Sequence, residues 1–379
     1  MSLLVQRPAR RRATFHDLVV SDVQPLTSDA VAVSFAVPDE LAADYLRFAP
    51  GQHLTLRASI DGEDVRRSYS LCLSRAEARR RQEVRVASAT VPGGVMSGWL
   101  NEQLSVGDTV SVMTPLGGFT CPTQPDRARH HVAVAAGSGI TPVLSLVTTA
   151  LEEEPRSQVT LLYGNRRTDS IMFLEELMDL KNRFPERFTL VNVLSREPHE
   201  VELFHGRLDR ERLERLFAAL APIPTVDEFY LCGPFGMVEG ARELLDEHGV
   251  DHHHVHHEVF HVDELGASVP PVTGTPAAVE AGQTDQPEAT VTVTMDGRTT
   301  TVAMPSRQET VLAATLRERP DAPFSCTGGV CGTCRARVVE GEVRMDRNYA
   351  LEEDEVAAGY VLACQSHPVT DRVRLDYDG

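Results

Sequence analysis

Between residues 14 and 125, apolar and polar positions alternate over short runs, the period of half-buried strands. The pattern predicts strands at 14–20, 31–37, 53–60, 65–71, 84–89 and 109–113, with Asp61-Gly62 as a hairpin turn. One helix, 95–104, is expected among them. Six short strands at this spacing predict a closed antiparallel barrel. From 131 to about 262 the rhythm changes. Strands are expected at 131–136, 159–163, 189–194, 228–232 and 254–260, with helical periodicity between them at 143–154, 173–184, 209–219 and 236–248. That alternation predicts an open parallel α/β sheet. Residues 265–288 are rich in Pro, Gly, Thr and Ala, carry no period, and read as a linker. A third unit, 289–379, begins with strands at 291–295 and 299–303 around Asp296-Gly297, then a helix at 310–318. The expected fold class is therefore multi-domain, α+β and α/β. Its divisions are a disordered tail 1–13, a barrel 14–125, an α/β domain 126–264, the linker, and the C-terminal unit.

Composition narrows the function classes. A chain of 379 residues accommodates two or three domains. The net charge of −18 argues against nucleic acid as a partner. No apolar stretch approaches the length of a membrane span, so no membrane partner is expected. Arg7, Arg10, Arg11 and Arg12 form a basic run with no apolar segment after it, unlike a secretory signal. The expectation is a soluble, cytoplasmic protein whose thiols stay reduced.

Chemistry concentrates in a few motifs. Cys326, Cys331 and Cys334 follow C-x4-C-x2-C, and Cys364 lies far downstream. This is the plant-type ligand pattern of a [2Fe–2S] cluster: three thiolates on one tight loop and a fourth from another element. Zinc sites more often show two separated pairs. In the barrel, Arg67-Ser68-Tyr69-Ser70 could pair a diphosphate, stack on a flat ring and hydrogen-bond a ring nitrogen, although an ordinary strand would look the same. Gly93-Gly94-Val95-Met96-Ser97 opens the expected helix with free N–H groups, which suits a phosphate or merely a capped turn. Gly137-Ser138-Gly139-Ile140-Thr141-Pro142 follows the first α/β strand, the position for a dinucleotide pyrophosphate, without the third glycine of the Rossmann fingerprint. Cys232-Gly233-Pro234 ends the fourth α/β strand, so Cys232 is either a nicotinamide neighbour or a small buried residue. Cys72 and Cys121 have no ligand-like spacing and receive no role. The run His252–His257 invites a metal site; a lead-in to an edge strand with adventitious metal affinity is the plainer reading.

Together, R-x-Y-S, G-G-x-x-S, G-S-G-I-T-P, C-G-P and the cysteine loop resemble the ferredoxin–NADP+ reductase superfamily with an appended plant-type ferredoxin. Residues 41–70 and 348–365 are similar to the reductase subunits of bacterial phenylacetyl-CoA epoxidases. The resemblance implies an antiparallel FAD-binding β-barrel, a parallel-sheet NAD(P)-binding domain and a β-grasp ferredoxin domain. It implies that Arg67 and Ser97 hold FAD phosphates, with Gly93, Gly94 and Met96 alongside, that Tyr69 stacks on the isoalloxazine and that Ser70 approaches flavin N5. Gly137, Gly139 and Thr141 would line the nucleotide site, Cys232 would lie near the nicotinamide, and Phe260 would lie close to the flavin ring. Ser70 and Cys232 would be the catalytic pair. The second α/β strand ends in Asn165-Arg166-Arg167 and the third in Ser195-Arg196. These basic ends favour the 2′-phosphate of NADPH, although Glu197 could blunt Arg196. The implied path runs from NADPH to FAD to [2Fe–2S] to a separate oxygenase, foremost a di-iron phenylacetyl-CoA epoxidase. The alternatives are the reductase of a Rieske-type ring-hydroxylating oxygenase, such as a steroid hydroxylase, or a non-enzymatic ferredoxin-type carrier or redox sensor. Ala89 stands where relatives often carry Lys, which removes any contact that such a lysine would make.

Overall fold

The computed structural model describes residues 13–261 and 288–378. Apart from residues 13 and 288, the expected tail and linker lie outside the described residues. The chain divides into two compact units. One holds most of the first sheet and all of the second; the other holds the C-terminal sheet together with Asp61–Ser68.

The first sheet has six strands: β1 (Phe15–Thr27), β2 (Ala30–Ala36), β3 (His53–Ile60), β4 (Glu63–Ser70), β5 (Glu83–Ala89) and β6 (Thr109–Met113), in the order β4-β3-β6-β1-β2-β5. Asp61 and Gly62 turn between β3 and β4 with φ of 53° and 85°, the left-handed pair that a two-residue hairpin requires. β1 runs seven residues past its expected end at Val20. Its register against β2 shifts at Val20/Asp22 and Pro25/Thr27, so bulges interrupt the alternation that would have revealed it. The expectation of a single helix here needs correction. Besides Val95–Glu102 there are a short helix Ala42–Tyr45 and a second, Arg75–Arg81. The latter is almost entirely charged, so it shows no apolar stripe. Its start is set by Ser74, whose hydroxyl accepts the Glu77 N–H at 3.2 Å.

The second sheet is parallel: β7 (His130–Ala136), β8 (Gln158–Asn165), β9 (Phe188–Leu194), β10 (Glu228–Pro234) and β11 (Val255–His261), in the order β11-β10-β7-β8-β9. Strand order reverses between β10, β7 and β8, so the crevice outside the carboxyl ends of β7 and β10 is the topological switch point. One face carries the helix Ile140–Glu153, whose Ile140, Val143 and Val147 share a core with Tyr163, Tyr230 and Cys232. That core also takes in Ala30, Ala32, Ala87 and Phe119, so barrel and parallel sheet pack as a unit. Ser145 Oγ donates to the Leu73 carbonyl at 2.6 Å, and Arg75 pairs with Glu153 and donates to Thr123 Oγ1 at 3.0 Å.

At the amino end of this sheet lies a buried charge network. Glu154, wholly inaccessible, accepts from Gln124 N (2.8 Å), Arg129 Nε (3.2 Å) and Ser157 Oγ (2.6 Å); His131 Nε2 lies 3.0 Å away, and the second Arg129 nitrogen also contacts it. Burial alone would raise its carboxyl, but these contacts outweigh burial and hold it well below the ordinary carboxylate range. A depressed folded-state value contributes stability above the unfolded carboxylate's range and loses it as pH falls towards the folded value. Glu154→Gln is therefore expected to cost about 1–3 kcal/mol at pH 7 by removing the charge-assisted contacts to Arg129, which keeps Glu228 as a second carboxylate partner, and the deficit should shrink in acid. Denaturation followed through the single Trp99 at neutral and acid pH measures both.

The C-terminal sheet comprises β12 (Ala289–Met295), β13 (Arg298–Met304), β14 (Arg335–Glu340), β16 (Tyr360–Leu362) and β18 (Arg372–Asp376), in the order β13-β12-β18-β14-β16. β15 (Val343–Met345) pairs separately with β17 (Ser366–Pro368). Only β12 and β18 run parallel; the other pairs are antiparallel. The helix Val311–Glu318 is N-capped by Thr310 and buries Val311, Leu312 and Ala314 in the same core as Val291, Val293 and Leu375. This mixed sheet with one long helix is the β-grasp arrangement.

Candidate functional site

The four cysteines come from two places, as the spacing implied. Cys326, Cys331 and Cys334 lie on the loop between the helix Val311–Glu318 and β14, and Cys364 follows β16. None of the four forms a disulfide. They fall into two touching pairs. The Cys331 N–H donates to Cys326 Sγ at 3.4 Å, and the thiols of Cys334 and Cys364 interact directly. Contact with the Cys331 thiol, more than the backbone bond, pulls Cys326 down to about 7 against its burial, and the same thiol contact and burial push Cys331 well up. Cys334 and Cys364 are buried in the core, while Cys326 and Cys331 are half-exposed. Gly329 has φ +80°, and a Cβ there would stand 3.1 Å from the Arg347 carbonyl. Thr327 also holds a left-handed backbone (φ 51°), and the Gln365 side chain donates to its carbonyl at 2.7 Å. Two thiol pairs, with three sulfurs from one loop and the fourth from the segment after β16, fit a cluster of two irons with two thiolates each.

On β4, Arg67 and Tyr69 alternate onto one face and both are half-buried. The Arg67 guanidinium donates to the Arg66 carbonyl at 2.7 Å and has no carboxylate partner among the described residues. The helix Val95–Glu102 begins at Gly94 with no side-chain cap, leaving first-turn N–H groups for a phosphate. Ser97 lies in that first turn. Its hydroxyl accepts the Val91 N–H at 3.1 Å and donates to the Gly94 carbonyl at 3.0 Å, which leaves its backbone N–H for an anion. Met96 is buried, so its side chain serves the core. Gly93 has φ +74°. Taken singly, the half-buried cation suits a diphosphate, the aromatic a flat ring face and the uncapped helix start a phosphate, the parts of a flavin dinucleotide.

The glycine loop follows β7. Gly139 packs so closely on β10 that a Cβ would lie 2.2 Å from the Cys232 carbonyl, which only glycine permits. Tyr163 Oη donates to the Gly137 carbonyl at 3.0 Å, and Thr141 Oγ1 to the Ser138 carbonyl at 3.0 Å. Thr141 thus shapes the loop. Ser70 Oγ donates to Glu258 Oε2 at 3.4 Å, and Glu258 is in register with Cys232 across β10 and β11. Cys232 is completely buried, and burial, then Glu258, pushes its thiol well up, so it is a neutral wall of the site. Phe260 is half-buried against the same core as Cys232. Glu258 is the residue that sequence reasoning missed: strand alternation places it on the Phe260 face, but its pairing with Ser70 spans 188 positions.

At the ends of β8 and β9, Arg196 N donates to the Arg166 carbonyl at 2.8 Å, which places the two basic residues side by side. Both are exposed and neither has a carboxylate partner among the described residues. Glu197 does not blunt them: its oxygens accept from Thr168 N and Thr168 Oγ1 at 2.8 and 2.9 Å. Ser195 Oγ donates to the Asn165 carbonyl at 3.3 Å. No helix among the described residues is long and apolar enough to cross a membrane.

These sites, in this order, define a pyridine-nucleotide-dependent flavin and iron–sulfur oxidoreductase. Family models agree: an oxidoreductase FAD-binding domain matches residues 17–121, an oxidoreductase NAD-binding domain 133–243, and a 2Fe-2S iron-sulfur cluster binding domain 293–369. The E subunit of 1,2-phenylacetyl-CoA epoxidase from Escherichia coli is 42% identical over 96% of this chain and 98% of its own. The ferredoxin reductase component of 3-ketosteroid-9-alpha-monooxygenase from Rhodococcus rhodochrous is 34% identical over 95% and 96%. Phthalate dioxygenase reductase shares the fold (TM-score 0.56, 22% identity, covering 96% of this chain and 98% of that one). The chain belongs to the ferredoxin–NADP+ reductase superfamily, among the oxygenase reductases that carry a C-terminal [2Fe–2S] domain.

Proposed function

We propose that this reductase takes its electrons from NADPH and delivers them to a di-iron oxygenase that epoxidises phenylacetyl-CoA. The reading of the partner rests on the 42% identity, end to end, with a component of that epoxidase. The domains would divide at 14–125 for FAD, 126–264 for the nucleotide and 289–379 for the cluster, and the protein would work in the cytoplasm. FAD and the cluster, when bound, supply hydride acceptance and one-electron exit. The chain's own residues bind and orient. Arg67 and the first turn at Gly94 hold the flavin diphosphate, and Tyr69 covers a ring face. Gly137 and Gly139 let the nucleotide approach the loop backbone. Ser70, held by Glu258, presents its hydroxyl to the reacting edge, with Cys232 and Phe260 walling the nicotinamide position. Cys326, Cys331, Cys334 and Cys364 ligate iron. Reconstitution of the purified chain with the di-iron epoxidase components and phenylacetyl-CoA should give NADPH-dependent product. Turnover with a Rieske-type steroid oxygenase instead would favour the other reading, which a relative of 34% identity supports.

The paired Arg166 and Arg196 support the nucleotide choice. Guanidinium groups at two adjacent strand ends, without a carboxylate partner among the described residues, fit the 2′-phosphate. Arg196→Ala is expected to lower kcat/KM for NADPH by roughly 10–100-fold, the loss of one charge-assisted contact, and to leave NADH nearly unchanged. Steady-state kinetics with both nucleotides checks this; equal efficiencies in the unmutated protein would contradict it.

A further inference from the structure

The amino end of the parallel sheet carries a group of ligand-type side chains that the electron path does not use. Cys121 comes from the segment after β6, Glu228 opens β10 and His256 is the second residue of β11. Their Sγ, carboxylate and ring nitrogen atoms all lie within 4.8 Å of one another. His256 Nε2 is 3.0 Å from Glu228 Oε2, and His254 Nδ1 approaches the same oxygen at 3.5 Å. Cys121 and Glu228 are buried, the His256 side chain is 20% exposed, and that of His254 is 54% exposed. Cys121, Glu228 and His256 therefore form a compact, largely buried set of three, and His254 stands outside that set at its solvent edge, against Glu228.

We propose that Cys121, Glu228 and His256 bind one zinc ion, and that His254 turns inward from the solvent edge to become the fourth ligand. One sulfur, one or two imidazoles and a carboxylate form a borderline-soft, four-coordinate donor set that suits Zn2+ and is poor for Mg2+ or Ca2+. The surroundings fit. Arg129 Nη1 donates to Cys121 Sγ at 3.5 Å and to Glu228 Oε1 at 3.2 Å, which orients the sulfur and leaves Glu228 Oε2 facing the imidazoles. The charge of Arg129 is already balanced by Glu154. Tyr230 stacks on the His256 ring at 5.3 Å between centroids and fixes its plane. Binding releases the Cys121 thiol proton and the proton shared by His256 and Glu228 to solvent, which makes zinc retention weaker in acid. The ion ties the chain that leaves the barrel to the last two strands of the sheet. It does so at the end opposite the nucleotide crevice, because Glu228 and Cys232 stand at opposite ends of β10. The site is a structural clamp that takes part of the histidine run out of the category of adventitious affinity.

The test uses the full-length holoprotein, equilibrated with zinc sulfate and desalted, with zinc, iron and FAD assayed together and the zinc environment read by X-ray absorption. The expected result is about one zinc per chain with a single sulfur neighbour near 2.3 Å. Retained zinc should drop at least about tenfold in Cys121→Ser and in His256→Gln, with iron and FAD unchanged. His252→Ala/His253→Ala is the control for the exposed group Asp251, His252 and His253. Zinc retained in both ligand variants, zinc lost only in that control, or no zinc in the unmutated protein would overturn the proposal. So would four sulfurs per zinc, which marks a mis-loaded cluster site. Should a variant lose FAD and iron through misfolding, the sulfur count in the unmutated protein still decides.

Discussion

Cys364→Ser is expected to abolish the visible and paramagnetic signature of the cluster and to cut NADPH-dependent cytochrome c reduction by more than about 100-fold. FAD content and the reduction of dichlorophenolindophenol should stay near their original values. The contrast follows from placement. Cys364 is buried in the β-grasp core and contacts Cys334, so its loss removes half of one thiol pair. Hydroxyl oxygen is a poor ligand for iron in such clusters, which thiolates hold. The flavin and nucleotide motifs lie on other sheets, with their own core around Ile140, Tyr163 and Cys232. A variant with a normal cluster spectrum would mean that the fourth ligand is another residue.

Ser70→Ala should slow flavin reduction by NADPH roughly 10²-fold, the cost of removing one positioned hydrogen-bonding group at the proposed reacting edge, without loss of FAD. Ser70 is 4% exposed and its hydroxyl is fixed by Glu258, which pairs with Cys232 in the adjoining strand. Alanine removes the hydroxyl and leaves the strand intact. Glu258→Gln retains a hydrogen-bond acceptor for Ser70, so it should cost less than the serine change. Rapid mixing under anaerobic conditions measures the step directly. An unchanged rate in Ser70→Ala would place hydride transfer elsewhere on the crevice.

What the sequence revealed and what it hid divide along local and long-range lines. The strand-to-helix rhythm after residue 130, the Asp61-Gly62 and Asp296-Gly297 turns and the cysteine loop are local signals, and the structure contains each of them. The β13-β12 hairpin was likewise legible, whereas β14 to β18 are short and three of them span only three residues with little alternation. The helix Arg75–Arg81 escaped because a charged helix has no apolar stripe. The Ser97 hydroxyl looked like a phosphate ligand, but the turn at Val91 and Gly94 engages it. Glu258 beside Ser70 and Cys121 beside His256 were invisible for one reason: each pair is distant in sequence and is brought together by tertiary packing. Cys121 has no ligand spacing along the chain; its neighbours exist only in the folded sheet.

A single electron path from pyridine nucleotide through the flavin to the C-terminal cluster is the central expectation for this protein. The most direct measurement is anaerobic addition of NADPH to the holoprotein, followed by low-temperature electron paramagnetic resonance of the cluster and visible spectroscopy of the flavin. The predicted result is bleaching of the flavin together with a reduced [2Fe–2S] signal approaching about one spin per chain, and no cluster signal from protein stripped of FAD. Flavin bleaching that leaves the cluster oxidised, or cluster reduction by NADPH without FAD, would contradict it.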